Sequence, residues 1–233
     1  MNINSKIKKE TSEVINHIFF KKLNKGHYSK LELKFFAEQY FLISQAFVEF
    51  LLLGSVRIKK DIHRSVFIEN LYDEHGKGRP ENNHRNLLKK FLISLGDINI
   101  NNIKPVEKVS IYIHGMRDLC SYGSELEVIG ALGPGCESVT VELYKLINNG
   151  IRDNFSATKQ DLIFFSSHIA HDPKHSNDID NIIKELAKDG NDLHAVVFGA
   201  KQSLILEKIL WDGIFEGCEY LLKNRHKKIE CNN

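Results

Sequence analysis

The sequence predicts an all-α protein, a bundle of about seven or eight helices. Three observations carry this. Proline, the residue that most often interrupts a helix, is scarce, at four in 233 residues. Apolar residues recur at helical spacing through long segments. No run shows the period-two alternation of a half-buried strand. The chain contains no repeat, low-complexity tract or linker, so its length predicts one domain over residues 1–233.

Leu31 to Lys59 is the first long amphipathic segment, with Leu33, Phe36, Ala37, Tyr40, Phe41 and Ser44 on one face. Ile62 to His75 continues in the same style. Gly76-Lys-Gly-Arg-Pro80 is the clearest breaker. Asn82 or Asn83 can then cap a helix that runs to Leu95 and ends at Gly96. Pro105 opens a helix to about Tyr122, with proline in its tolerated first-turn position. Gly133-Pro-Gly135 is a turn or kink before a helix from about Cys136 to Asn149. Ser156-Ala-Thr158 precedes a helix from about Lys159. Asp192 to Leu222 is a final long helix carrying Val196, Val197, Leu204, Leu206, Ile209 and Leu210.

Composition excludes several classes. A hydrophobic fraction of 42% and a charged fraction of 27% exclude disorder and collagen-like structure. The net charge of +2, from 32 basic and 30 acidic residues, gives no footprint for dedicated nucleic-acid binding. Basic residues cluster only at Lys6 to Lys9 and Lys223 to Lys228, which read as solvated tails, the second from about residue 223 to 233. The polar start, Met1 to Val14, is unlike a secretory signal. The most apolar stretch, Tyr40 to Ile58, is broken by Gln45, Glu49 and Gly54, and reads as a buried helix rather than a membrane span. A cytoplasmic protein binding neither membrane nor nucleic acid is expected. Cys120, Cys136, Cys218 and Cys231 form no C-x-x-C pair, so neither a zinc ribbon nor a redox motif is predicted.

Eleven histidines against four cysteines direct attention to nitrogen and oxygen ligands. The most specific local signal is His168-Ile-Ala-His171-Asp172-Pro-Lys-His175. At about 100° per residue, His168, Asp172 and His175 fall near about 0°, 40° and −20°, on one stripe of a helix. Two imidazoles and a carboxylate so arranged suit a transition metal with open positions, notably iron. A solvated polar face is the plainer reading of that spacing. Pro173 would kink or break the helix between Asp172 and His175. Glu137 opens the helix after Gly135, with Tyr144 on the same face. An inward Glu there needs a partner or a metal, whereas an outward one would be favoured by the helix dipole. A third segment is Phe67-Ile-Glu-Asn-Leu-Tyr-Asp-Glu74-His75, followed by Asn83-His84 before Leu-Leu-Lys-Lys-Phe91. Glu81-Asn-Asn-His84 also matches the Glu-x-x-His spacing of ferritin-like di-iron bundles.

Together these segments resemble the heme-oxygenase-like diiron oxidases and oxygenases, whose fold group includes CADD-like, TenA-like and PqqC-like proteins. The likeness runs from about His17 to Asn191. It implies a heme-oxygenase-like bundle binding two iron ions (Fe2+), with O2 as co-substrate. Carried over by position, the ligands are Glu74, His84, Glu137, His168, Asp172 and His175. Glu81 is the alternative to Glu74, because the interval before His84 is longer than in CADD-like proteins. Glu49 matches an extra carboxylate that some N-oxygenating members use. The implied activity is oxidation of a small, amino-acid-like substrate, by C–H or C–C cleavage or N-oxygenation. Arg152 could clamp its carboxylate and Tyr144 could line its pocket. The resemblance leaves an external electron donor and a homodimer open. CADD-like proteins make p-aminobenzoate from one of their own tyrosines. The matching position here is Phe20, and a lysine they need is replaced by Ile147 or a neighbour, so an external substrate is expected. The rival enzyme is a TenA- or PqqC-like protein on the same fold, with Cys136 or Cys218 as a nucleophile. A helical interaction or metal-storage protein is the non-enzymatic alternative.

Overall fold

The computed structural model describes residues 3–230, apart from the side chains of 171, 172 and 226–230. Ten α-helices account for almost all of it: α1 (Ile3–Ile15), α2 (Ile18–Asn24), α3 (Lys30–Arg57), α4 (Asp61–Glu74), α5 (His84–Ser94), α6 (Glu107–Tyr122), α7 (Glu125–Leu132), α8 (Ser138–Asn154), α9 (Ile163–Leu186) and α10 (Gly190–Glu230). No strand occurs among the described residues. The expected all-α class holds, but the count of seven or eight helices was low, because α1, α2 and α7 are additional.

The reasons lie in local chemistry. Lys6 to Lys9 belong to the amphipathic α1, which buries Ile7 and Val14, and are not a tail. Glu10 of that helix pairs with Lys201 of α10 at 2.9 Å. Likewise α10 carries helical backbone through Glu230, into the segment expected to be a basic tail. In α2, His17 caps the helix by accepting from the Phe19 amide. The α7 helix starts at a capping box, Ser124 with Glu127.

In α3, Ser29 and Glu32 form a second capping box. All six residues expected on its inner face are buried. Among the described residues, α3 alone has the length and hydropathy to cross a membrane, but 56% of its most apolar window is buried within the bundle. Breaker residues behave as backbone sterics require. Gly76, Lys77 and Gly78 all take positive φ, at 76°, 54° and 77°. This left-handed run ends α4 and lets the chain double back. A 3₁₀ turn, Pro80–Asn82, follows, and Asn83 caps α5 by accepting from the Asn86 amide. His84 is therefore the first residue of α5.

Three boundaries depart from expectation. Pro105 lies outside α6, whose cap is Val106. The α9 helix starts at Ile163, later than Lys159, because Thr158 and Asp161 close a turn on each other. Pro173 neither breaks nor ends α9, which runs unbroken over 24 residues. Its missing N–H removes one hydrogen bond from a long helix packed on both α8 and α4. Gly133–Glu137 form a π-helical turn leading straight into α8. Such wide turns often mark functional sites.

Candidate metal centre

Glu74 ends α4, His84 begins α5, and His168 lies in the second turn of α9. Their ligand atoms all fall within 4.8 Å of one another. His84 Nδ1 is 2.9 Å from Glu74 Oε1, and His168 Nε2 is 3.6 Å from the same oxygen. The two imidazole centroids are 4.2 Å apart. His168 Nδ1 lies 2.7 Å from the Phe164 carbonyl oxygen, which can only accept. The Phe164 carbonyl therefore holds a proton on Nδ1, and Nε2 is the ring nitrogen that faces Glu74.

The electrostatics follow from burial and neighbours. Burial alone would raise the Glu74 carboxyl, but His168 and His84 beside it hold it down at about 2. Burial would lower His84, but the Glu74 carboxylate outweighs this and raises it. Burial wins at His168 and lowers it, favouring the neutral ring. Glu137, at the end of the π turn, is buried with 4% exposure. Burial raises its carboxyl, and the Glu74 charge adds to this, against a hydrogen bond that lowers it. That bond comes from Asn70, whose Nδ2 donates to Glu137 Oε1 at 2.6 Å.

His175 faces a different carboxylate: its Nε2 is 3.0 Å from Asp73 Oδ2. Asp73 also pairs with Lys77 at 2.9 Å. The Asp172 side chain, like that of His171, lies outside the described residues. The structure thus gathers Glu74, His84 and His168, sets Glu137 in the same cavity as Glu74 and His168, and brings His175 to Asp73, the neighbour of Glu74. Glu81 is exposed on the 3₁₀ turn and lines an open outer groove with Asp73, Lys77, His84 and His175. Glu49 is held in a two-pronged pair by Arg117 at 2.8 Å and is half exposed. Arg152 is exposed and paired with Asp153.

An inner cavity of about 50 Å³ adjoins Glu74, Glu137 and His168. Its walls include Tyr40, Phe47, Tyr112, Cys136, Tyr144, Phe164 and Glu207. The Tyr144 ring meets His168 edge-on with centroids 4.9 Å apart, and its hydroxyl is 3.0 Å from that of Tyr40. Cys136 therefore faces the cavity, whereas Cys218 is buried in the core with its thiol pushed up by burial. Phe20 and Ile147 are fully packed core residues.

Asp73, Asn70 and Glu207 are site residues that the sequence reading passed over. Asp73 and Asn70 stand in the quoted Glu-Asn-Leu-Tyr-Asp-Glu stretch, one residue and one turn before Glu74. Glu207 had a visible signal: it shares the inward stripe of Val196, Ala200, Leu204 and Trp211 at helical spacing.

A family described as "Iron-containing redox enzyme" matches residues 34–208. The chain belongs to that family. It is 26% identical over 186 residues to a Chlamydia trachomatis protein named 4-aminobenzoate synthase, covering 78% of this chain and 79% of that protein. It is similar in structure to a Shewanella denitrificans domain with a heme oxygenase-like fold, at TM-score 0.78 and 18% identity, over 94% and 92% of the two chains. A CADD-like protein from Nostoc punctiforme superposes at TM-score 0.75 and 16% identity, over 93% and 98%. The heme-oxygenase-like fold of this chain is thereby shown, and so is its kinship to iron-containing redox enzymes.

Proposed function

We propose that the chain is a non-heme diiron oxidoreductase that uses O2 to oxidise a small molecule. The observation that carries this is the buried triad of Glu74, His84 and His168, with Glu137 beside it. The residues fit iron. Mixed imidazole and carboxylate donors suit it, and carboxylates this deeply buried are costly unless a cation compensates them. Glu74, His84, His168 and Glu137 would hold metal, and His175, with Asp172 by position in the family, would complete a second set. Iron supplies the O2 chemistry that side chains lack.

The chain's own contribution is positioning. The Phe164 carbonyl fixes the His168 tautomer, and Asn70 fixes Glu137, as outer partners of metal ligands do. The aromatic walls keep water from the centre and bind an apolar body. Family kinship also supports a second reading, because the chlamydial relative is named for 4-aminobenzoate synthesis. Phe20 has no phenol to give, which favours an external substrate. An intact mass altered after turnover would reverse that preference.

Anaerobic titration with Fe(II) tests the proposal. About two equivalents should bind, and O2 should then be consumed with a transient absorbance change. His168→Ala and His175→Ala should each lose iron from one position while keeping the helical circular-dichroism spectrum. Binding well below one equivalent in the wild-type chain, or full iron and activity in both variants, would sink the reading.

A further inference from the structure

The inner cavity has an acidic group that the proposed centre does not use. Glu207 projects from α10, is 7% exposed, and lines the same cavity as Glu74, Glu137 and His168. Its Oε1 accepts from Trp211 Nε1 at 3.4 Å, a long bond. Among the described residues no basic side chain pairs with it. A buried carboxyl without a cation is a standing free-energy penalty, and burial accordingly lifts this one to about 7. The cavity walls also contain no Lys and no Arg. Arg152, the one cation expected to clamp a substrate carboxylate, is exposed and engaged by Asp153.

From this we infer that Glu207 receives the protonated amine of the substrate, so that the enzyme acts on a small primary amine with an apolar or aromatic body and needs no substrate carboxylate. The inference deepens the diiron reading by naming its substrate class. Tyr40, Phe47, Tyr112 and Phe164 supply the apolar surface. Glu207 supplies the one lining carboxyl that neither a basic side chain nor the proposed centre engages, and a substrate carboxylate in the same place would face it with no guanidinium or ammonium among the described lining residues.

Trp211 makes the inference measurable. It is the sole tryptophan of the chain, it is fully buried, and it touches Glu207. Phenethylamine, butylamine and 3-phenylpropionate are titrated against the full chain, both anaerobically loaded with Fe(II) and after chelation, with indole fluorescence as the readout. Phenethylamine should give a saturable change in both forms and 3-phenylpropionate none. Glu207→Gln should weaken amine binding tenfold or more, the scale expected for loss of a charged hydrogen bond, and should retain the wild-type iron content. Equal response to amine and carboxylate, no response to either amine, or unchanged affinity in Glu207→Gln overturns the inference. Loss of iron in Glu207→Gln also overturns it, by making Glu207 a ligand. If that variant fails to fold, the amine-against-carboxylate comparison in the wild-type chain decides alone. Amine binding that depends on Glu207 in a chain taking up no iron would retain the inference and discard the diiron reading.

Discussion

Glu207 shows what one residue can cost. An ordinary glutamate ionises near 4.5, and burial moves this one to about 7. The folded state then holds a proton that the unfolded chain releases. Stability is therefore lost as pH climbs from the unfolded value through the folded one. Below about 4.5 both states are protonated and nothing is lost; above about 7 the penalty is complete. At 1.36 kcal/mol per pKa unit the penalty is at most about 3–4 kcal/mol. Glu207→Gln keeps an acceptor for Trp211 and removes the titration. In urea unfolding of the iron-free chain, the variant should match the wild type near pH 4 and exceed it near pH 8. A stability difference that stays flat with pH would mean that Glu207 is ionised and compensated in the folded protein.

At the scale of elements, α7 and α10 pack backbone against backbone, and two glycines permit it. A Cβ at Gly130 would strike the Val196 carbonyl, and one at Gly199 would strike the Glu127 carbonyl. Both obstacles are backbone, which cannot rotate away. Gly199→Ala should therefore lower the unfolding free energy by about 1–3 kcal/mol or more, the scale of an overpacked core, despite the better helix propensity of alanine. A stabilised variant in urea unfolding would refute this close approach. The same pair marks the limit of what the sequence made legible. Helices α3, α5 and α8 could be read from their periodicity and, for α5, the Asn83 cap, because an apolar stripe and a capping residue are local signals. By contrast, α7 is apolar on every side from Val128 to Leu132, so no period distinguished it from the Gly-Pro-Gly turn. Pro173 announced a break that α9 does not make, because packing overrides one missing hydrogen bond. In the site, the family resemblance named Glu74, His84, Glu137 and His168, and the fold brings Glu74, His84 and His168 together. The pairing of His175 with Asp73 was not legible, because it depends on how α9 lies against α4.

For the molecule as a whole, the centre draws together residues that the chain keeps far apart. Glu74 and His84 come from α4 and α5, Glu137 from the π turn, and His168 from α9. No local segment could form this site, so the unfolded chain should bind iron far more weakly than the folded one. Anything that binds the folded state alone stabilises it, by about 2.7 kcal/mol at a hundredfold excess over Kd. For a chain of this size about 1 kcal/mol moves Tm by roughly 2–4 °C. With two sites filled at that excess, anaerobic Fe(II) should thus raise Tm by roughly 10–20 °C, and chelation should reverse the rise. The iron-free protein should fold without metal, since its large aromatic core around Trp211, Phe19, Phe20 and Phe36 is complete on its own. His168→Ala should remove about half of the Fe(II)-dependent rise while leaving a cooperative melt in the iron-free state. A shift of full size in that variant would place the stabilising iron elsewhere on the molecule. Failure of the iron-free wild-type chain to melt cooperatively would instead make the metal a structural necessity, and the three helices and the π turn would then owe their arrangement to it.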